Sequence, residues 1–502
     1  MILHLFLLSL PLIFFLYHLQ KNKKPINSLV PPGPPGLPII GNIHQLAAVK
    51  TPYVYLWQLS QKYGPLIHLK LGSKPLIVVS NARLAKEVLK THDLAFCSRP
   101  KSLAQQKLTY NGSDIIFSPY NDYWREVRKI TVMNLFSVKK LQSFRPIRED
   151  EMSRLMAKIS GRASANQAVD LSETSISLGS TFICRIAFGK RYDEQGSEMQ
   201  RFDKLLHEIS ALGAGVYASD YFPRLGYWVD KFTGSISRID TTFKKLELFY
   251  QELIDEKIRS NKKVDEEDGD ILDVLIQLKD QKAFSVDFTW DNIKALLLDI
   301  FVAGSDTSSS AIVWTMTALI KNPEIMKRAQ AEVRNLVGDK GKVDEDDLPK
   351  LPYLKAIINE TLRLYPPIPI LLPRETIEKC TLDGYEIQPK TLVYVNAWAV
   401  SRDPEYWGNN SHEFLPERFL NSDIDVKGHD FGVLPFGAGR RACPGMSMGL
   451  ANLELTVASL LYSFDWELPQ GVQAKDVDTE ALFGLAVHKK NPLLLVPKKY
   501  VV

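Results

Sequence analysis

The sequence predicts a mainly α-helical protein with a small β-sheet region, set behind an N-terminal membrane anchor helix. Three observations carry this prediction. Apolar residues recur at helical spacing through most of the chain after Asn81, two short stretches alternate around turn residues, and the first twenty residues are almost wholly apolar. With 45% hydrophobic and 24% charged residues in 502, the composition is globular and excludes a disordered, collagen-like or multispanning chain. The 62 Lys+Arg against 58 Asp+Glu leave a formal charge of +4, which gives no footprint for nucleic-acid binding. Cys97, Cys184, Cys380 and Cys443 form no CxxC pair, so a reducing compartment is expected and a disulfide scaffold is not.

Residues 1–20, MILHLFLLSLPLIFFLYHLQ, are long enough to cross roughly 30 Å of hydrocarbon at about 1.5 Å per residue. No basic residue precedes this run, whereas Lys21, Lys23 and Lys24 follow at once. The positive-inside rule therefore places the C-terminal flank in the cytosol, and the missing basic start argues for a retained anchor over a cleaved signal peptide. His4, Pro11 and His18 weaken the span, so a tilted or shallow anchor stays open. Residues 21–42 form a basic stop and a proline-rich hinge, VPPGPPGLPIIGN, whose prolines lack N–H donors and favour a stiff spacer. No repeat or second linker interrupts residues 43–502, which are read as one catalytic domain.

Within that domain LIHLKLGSKPLIVVS, residues 66–80, alternates around Gly-Ser-Lys-Pro and reads as a hairpin. Helical periodicity follows in ARLAKEVLK, in DYWREVRKITVMNLF and along 236–260. The acidic run VDEEDGD, 264–270, is assigned to a solvated loop without a ligand role. Asp383-Gly384 between TL and YEIQ, with TLVYVNAWAV following, gives a second hairpin.

The strongest chemical signal is PFGAGRRACPG, residues 435–445. Pro444 suits the first position of a helix and MSMGLANLELTVASLLY has helical spacing, so Cys443 is expected at a helix N-terminus. The helix dipole with Arg440 and Arg441 then favours the thiolate, while Gly437, Gly439 and Gly445 allow backbone N–H groups close to sulfur. Such a thiolate suits nucleophilic catalysis or metal ligation. A nucleophile needs a base, and no His lies near it in sequence.

The pattern met by Phe436, Gly439, Arg441, Cys443 and Gly445 resembles the haem-binding loop of the cytochrome P-450 haem-thiolate monooxygenases. Three further stretches agree. ETLR sets Glu360 and Arg363 on one helical face, and the resemblance adds Arg418 of FLPERF to make a buried structural network bracing the cysteine loop. AGSDTS interrupts the apolar stretch WDNIKALLLDIFVAGSDTSSSAIVWTMTALI with Gly304 and a Ser/Thr cluster, a break in propensity of the kind that marks function or a close helix crossing. The resemblance implies that Ala303 and Gly304 leave room over the haem and that Thr307 and Asp306 serve oxygen activation and proton delivery. WREVR sets Trp124 and Arg128 one turn apart, suited to a haem propionate, and Arg374 and Arg441 are similar to the other propionate arginines.

Taken over nearly the whole chain, the resemblance is to plant microsomal A-type members. It implies a cytochrome P-450 fold and haem b, with one O₂ atom inserted into a small hydrophobic specialised metabolite of terpenoid, phenylpropanoid, coumarin or oxime type. Electrons would come from NADPH through a separate NADPH-cytochrome reductase, with the chain single-pass in the endoplasmic reticulum membrane and its catalytic domain cytosolic. Family position suggests Ile115, Phe117, Ile300, Ile368, Leu372 and Phe483 as an apolar substrate pocket. Two alternatives are a haem-thiolate isomerase or dehydratase that needs no O₂, and a membrane-tethered haem-binding protein; Thr307 and Asp306 would be idle in either.

Overall fold

The computed structural model describes residues 30–192, 196–260 and 269–500. The expected anchor, the basic stop and most of the acidic run lie outside the described residues. Asp270, the last residue of that run, departs from the solvated loop predicted for it. It is buried, caps the helix Ile271–Asp280 through the Asp273 N–H, and pairs with Lys257.

The 32-residue helix Trp290–Lys321 organises the interior. Thr289 and Asn292 close its first turn in a capping box, a use of polar residues that frees the apolar stretch behind them to continue unbroken. It is long and apolar enough to cross a membrane, but 67% of its apolar window is buried inside the protein, so it is a core helix. It crosses the helix Leu171–Phe188 closely, because each helix sets a glycine, Gly304 or Gly179, against the other. A Cβ on Gly179 would meet Ser305 O at 2.7 Å, and one on Gly304 would meet Ile183 Cδ1 at 2.2 Å. The Ser and Thr residues that disfavour a helix are reconciled with it by bonding back one turn: Ser305 to Phe301 O, Thr307 to Ala303 O and Ser309 to Ser305 O. Helices Pro323–Val337, Pro352–Leu364 and Met446–Ser463 complete the packing and share one large apolar core.

The sheet region is smaller and lies to one side. Strands β1 (Leu66–Leu71) and β2 (Lys74–Val79) pair antiparallel with Leu66 opposite Val79. The turn is tighter than predicted: Lys74 and Pro75 already pair with Leu71 and Lys70, leaving Gly72-Ser73, with Gly72 at φ +58°. Short strands β3 (Val169–Asp170) and β4 (Arg374–Glu375) follow, and then β5 (Cys380–Leu382) and β6 (Tyr385–Ile387) form the second hairpin around Asp383-Gly384. Both turn residues have positive φ, the geometry that favours this dipeptide. β7 (Leu392–Val395) does not extend that hairpin. It lies parallel to β2 and antiparallel to β4, completing a β1-β2-β7-β4 sheet, because Leu392, Val393 and Val395 form the nearly continuous buried run that an inner strand requires. β8 (Phe464–Glu467), β9 (Ala481–Leu482), β10 (His488–Lys489) and β11 (Leu494–Lys499) make two further small sheets, β3-β11-β8 and β9-β10.

Candidate active site

The cysteine loop is shaped by two glycines. Gly437 and Gly439 sit at φ +63° and +69°, and a Cβ on Gly439 would lie 2.1 Å from Leu89 O, so only glycine fits there. The Cys443 N–H closes the loop onto Phe436 O at 2.9 Å. The following helix begins at Met446 with Gly445 as its N-cap, so Pro444 precedes the helix instead of opening it. This changes the expected electrostatics. Burial pushes the Cys443 thiol up, against which the Gly445 N–H and the Arg128 charge pull.

Four arginines converge beside this loop. Arg128, on the helix Asp122–Leu135, donates to Ala442 O. Arg441 donates through Nε to Cys97 O at 2.8 Å and through Nη2 to Ser118 O at 2.7 Å, with its guanidinium 3.9 Å from the centroid of the Trp124 ring. Arg374, on β4, pairs with Asp93 Oδ1 at 2.8 Å and reaches Ala438 O. The fourth, Arg99, is buried and donates to the carbonyls of Ile116, Leu372 and Pro373. It was not among the residues singled out from sequence, and nothing in FCSRP distinguishes it from a surface arginine. The Trp124 indole N–H, expected to be free for a propionate, donates instead to Ile115 O at 2.9 Å. Among the described residues Arg99, Arg128 and Arg441 hydrogen-bond carbonyls and no carboxylate. The electrostatic consequence is that burial, with Arg374 and Arg128 beside it, pushes Arg441 down to about 9.

The ETLR helix makes a different arrangement. Arg363 Nε and Nη2 grip Glu360 at 2.6 and 2.8 Å, and its remaining donors reach the carbonyls of Ser401, Ser411 and Glu413. Arg418 Nε stands 3.4 Å from Glu360 Oε1, an ionic contact without hydrogen-bond geometry.

Along the central helix's AGSDTS segment lies a cavity of about 70 Å³. Asp299, Val302, Ala303, Asp306 and Thr307 line it from that helix, joined by Ile116, Phe117, Ile368, Leu372, Leu485 and Ala486. Ala303 is exposed although it sits midway along a buried helix. Gly304 faces Ile183, so its missing side chain serves helix packing and not the cavity. Three of the expected pocket residues are also elsewhere. Ile300, three residues before Ala303 and seven before Thr307 on the same helix, is buried in the core and does not line the cavity. Ile115 is buried in the core, its N–H donating to Asp299 and its carbonyl accepting from Trp124. Phe483 is on the β9-β10 hairpin, 39% exposed, with its ring against Tyr53.

Two carboxylates in the wall have unforeseen partners. Asp299 lies against Asp114: burial raises both, Asp299 well above the usual carboxylate range with the Asp114 charge adding to it, while the Ile115 N–H donates to Asp299 and those of Ile116 and Phe117 to Asp114. Asp306 Oδ1 is 2.6 Å from His488 Nε2.

Among the described residues no cluster of three His, Cys, Asp or Glu side chains stands ready for a metal. An iron ion offered one thiolate must take its other ligands from a prosthetic group, and buried guanidinium groups lacking carboxylates suit a group that brings its own negative charge. Haem b, with two propionates, fits both requirements, which defines a haem-thiolate protein. The chain belongs to the cytochrome P-450 family, whose model matches residues 31–496. It is 48% identical over 493 residues to 6,7,8-trihydroxycoumarin synthase of Pastinaca sativa, covering 97% of this chain and 96% of that enzyme. It is 46% identical to strychnine-11-hydroxylase of Strychnos nux-vomica, covering 96% and 94%. A zebra fish cytochrome P-450 solved with progesterone superposes at a TM-score of 0.77 with 28% identity, over 90% of this chain and all of that one. The chain is therefore a haem b monooxygenase of specialised metabolism, with O₂, a small substrate and a reductase as its partners.

Proposed function

We propose that this chain hydroxylates a largely apolar aromatic metabolite of the coumarin type, with electrons from NADPH-cytochrome reductase at the endoplasmic reticulum membrane. The observation that carries the substrate class is the cavity: apolar walls from Phe117, Val302, Ile368, Leu372 and Leu485, with polar groups only at Gln105, Thr109, Asp299, Asp306 and Thr307. Relatives support it, since the trihydroxycoumarin synthase is joined by a 5-OH-xanthotoxin synthase of the same plant at 47% identity.

Haem would supply the oxidising power, with Cys443 holding its iron as a thiolate. Phe436 and Gly439 shape the loop that presents Cys443, while Arg128, Arg374, Arg441 and also Arg99 would hold the propionates. Trp124 contributes a ring under Arg441 in place of a direct donor. Ala303 keeps the helix low at the reacting centre. Thr307 commits its hydroxyl proton to Ala303 O at 2.7 Å, which leaves its oxygen to accept a proton or a water from the cavity, and Asp306 is the carboxylate that exchanges protons beside it. The apolar lining excludes bulk water and orients the substrate ring. Glu360, Arg363 and Arg418 brace the chain beneath the cysteine loop.

In this reading residues 1–20 anchor the chain, 21–42 form the hinge and 43–502 the cytosolic catalytic domain. Tyr227, Trp228 and Phe232 on the short helix Gly226–Phe232 are exposed, as are Leu37 and Ile39 of the proline segment. The β1-β2 turn joins these two regions, with Gly72 N–H on Ile40 O and Ser73 N–H on Tyr221 O. One apolar rim therefore runs from the hinge to that helix, as a surface lying on a bilayer requires.

The test is reconstitution with reductase, a coumarin panel and a spectral binding screen. Thr307→Ala is expected to bind haem and substrate normally, consume NADPH and release hydrogen peroxide in place of product. An unchanged ratio of product to NADPH would refute the oxygen-activating role of Thr307, and no turnover of any coumarin would refute the substrate class. Glycans at Asn111, Asn359 or Asn409 in the native host would reverse the topology.

A further inference from the structure

The contact between Asp306 and His488 joins the cavity wall to a strand 182 residues away in sequence. Its geometry is built from both sides. Ser310 and Trp314 stand one and two helical turns beyond Asp306 on the same face of the central helix, and both donate to Val487 O, at 2.7 and 3.0 Å. This double bond to one carbonyl fixes the register of β10 against the helix, so that the next side chain, His488, meets the next turn back, Asp306. From the other side, Val487 N–H donates to Pro367 O, and β10 is tied to β9 at Leu482 and Ala481. The Asp306 carboxylate hydrogen-bonds no other side chain among the described residues.

We propose that His488 is a positioning residue: it sets the orientation of the Asp306 carboxylate, and so decides whether electrons end in product or in peroxide. The inference rests on the proton-delivery role proposed above for Asp306. A carboxylate on a helix has several rotamers, and only one acceptor direction serves a proton donor in the cavity. A charge-assisted bond of 2.6 Å to a ring held by its backbone removes that freedom, leaving Oδ2 for the cavity. The imidazole also keeps contact with solvent, with a quarter of its side chain exposed.

The experiment compares Asp306→Asn, His488→Leu, His488→Gln and the Ser310→Ala/Trp314→Phe double variant in the full-length enzyme with reductase. Product per NADPH and peroxide are measured together with haem content, substrate-induced spectral shift and hydrogen exchange of amides 302–310. His488→Leu is expected to lower product per NADPH about tenfold, the scale of one hydrogen bond to a charged group, with haem content, substrate affinity and amide exchange as in the wild type. His488→Gln, which keeps an N–H donor, should recover most of the loss, and the double variant should reproduce part of it by releasing the register. If Asp306→Asn uncouples the enzyme while His488→Leu does not, the positioning role is refuted and the Asp306 reading stands. If neither uncouples it, the Asp306 reading falls and the proposal with it. If His488→Leu loses haem or speeds amide exchange while product per NADPH is unchanged, His488 is structural and the proposal is overturned.

Discussion

Two groups of buried arginines lie in this protein, and they are finished differently. Arg363 is fully buried, yet Glu360 takes two of its donors and three backbone carbonyls take the others, so charge and hydrogen bonds are both balanced within the chain. Arg99, Arg374 and Arg441 are buried and Arg128 is half-buried, yet Asp93 is the one carboxylate hydrogen-bonded to any of them among the described residues, and it also serves Arg440. Carbonyl oxygens satisfy guanidinium geometry without cancelling its charge, and a buried charge without a counter-charge is costly. The first group is complete when the chain folds. In the function proposed above the second would be completed by the propionates of haem, which would couple cofactor binding to stability.

The comparison can be broken at several points. The largest effect is expected from Cys443→Ala, which should abolish the reduced carbon monoxide spectrum of a thiolate-ligated haem; a variant that keeps this spectrum would remove the centre that the arginines surround. Next, Glu360→Gln leaves Arg363 buried without its carboxylate and should cost about 3–5 kcal/mol, read as a fall in thermal midpoint whether or not haem is bound. Arg441→Leu should behave in the opposite sense. Stability of the haem-free protein is expected to be unchanged or raised, while haem dissociates faster in a transfer assay to an acceptor protein. If Arg441→Leu destabilises the haem-free chain as much as Glu360→Gln does, the two groups are alike and the distinction fails. The smallest effects belong to the cavity. Ile368→Ala should shift discrimination among ligands by about 1–3 kcal/mol, whereas Phe483→Ala, outside the lining, should leave spectral affinities within experimental scatter.

A large part of the molecule is legible in the sequence, because the relevant interactions are local or repeat at a fixed period. The central helix follows from its 3.6-residue apolar spacing and capping residues, both hairpin turns from their glycines, and the shape of the cysteine loop from Gly437 and Gly439, which alone tolerate its dihedral angles. Glu360 and Arg363 meet because they are three apart on one helix. What the tertiary structure decided depends on distant segments meeting. Gly304 reads the same whether it faces a cavity or a neighbour, and only the approach of Ile183 from another helix assigns it to packing. Leu392–Val395 looks like a continuation of a hairpin until β2 offers it an inner place in a sheet. The Cys443 thiol is raised because it is buried, and that burial is made by segments distant in sequence. His488 meets Asp306 because two side chains on the helix hold the carbonyl before it, and that register is a property of the packed fold.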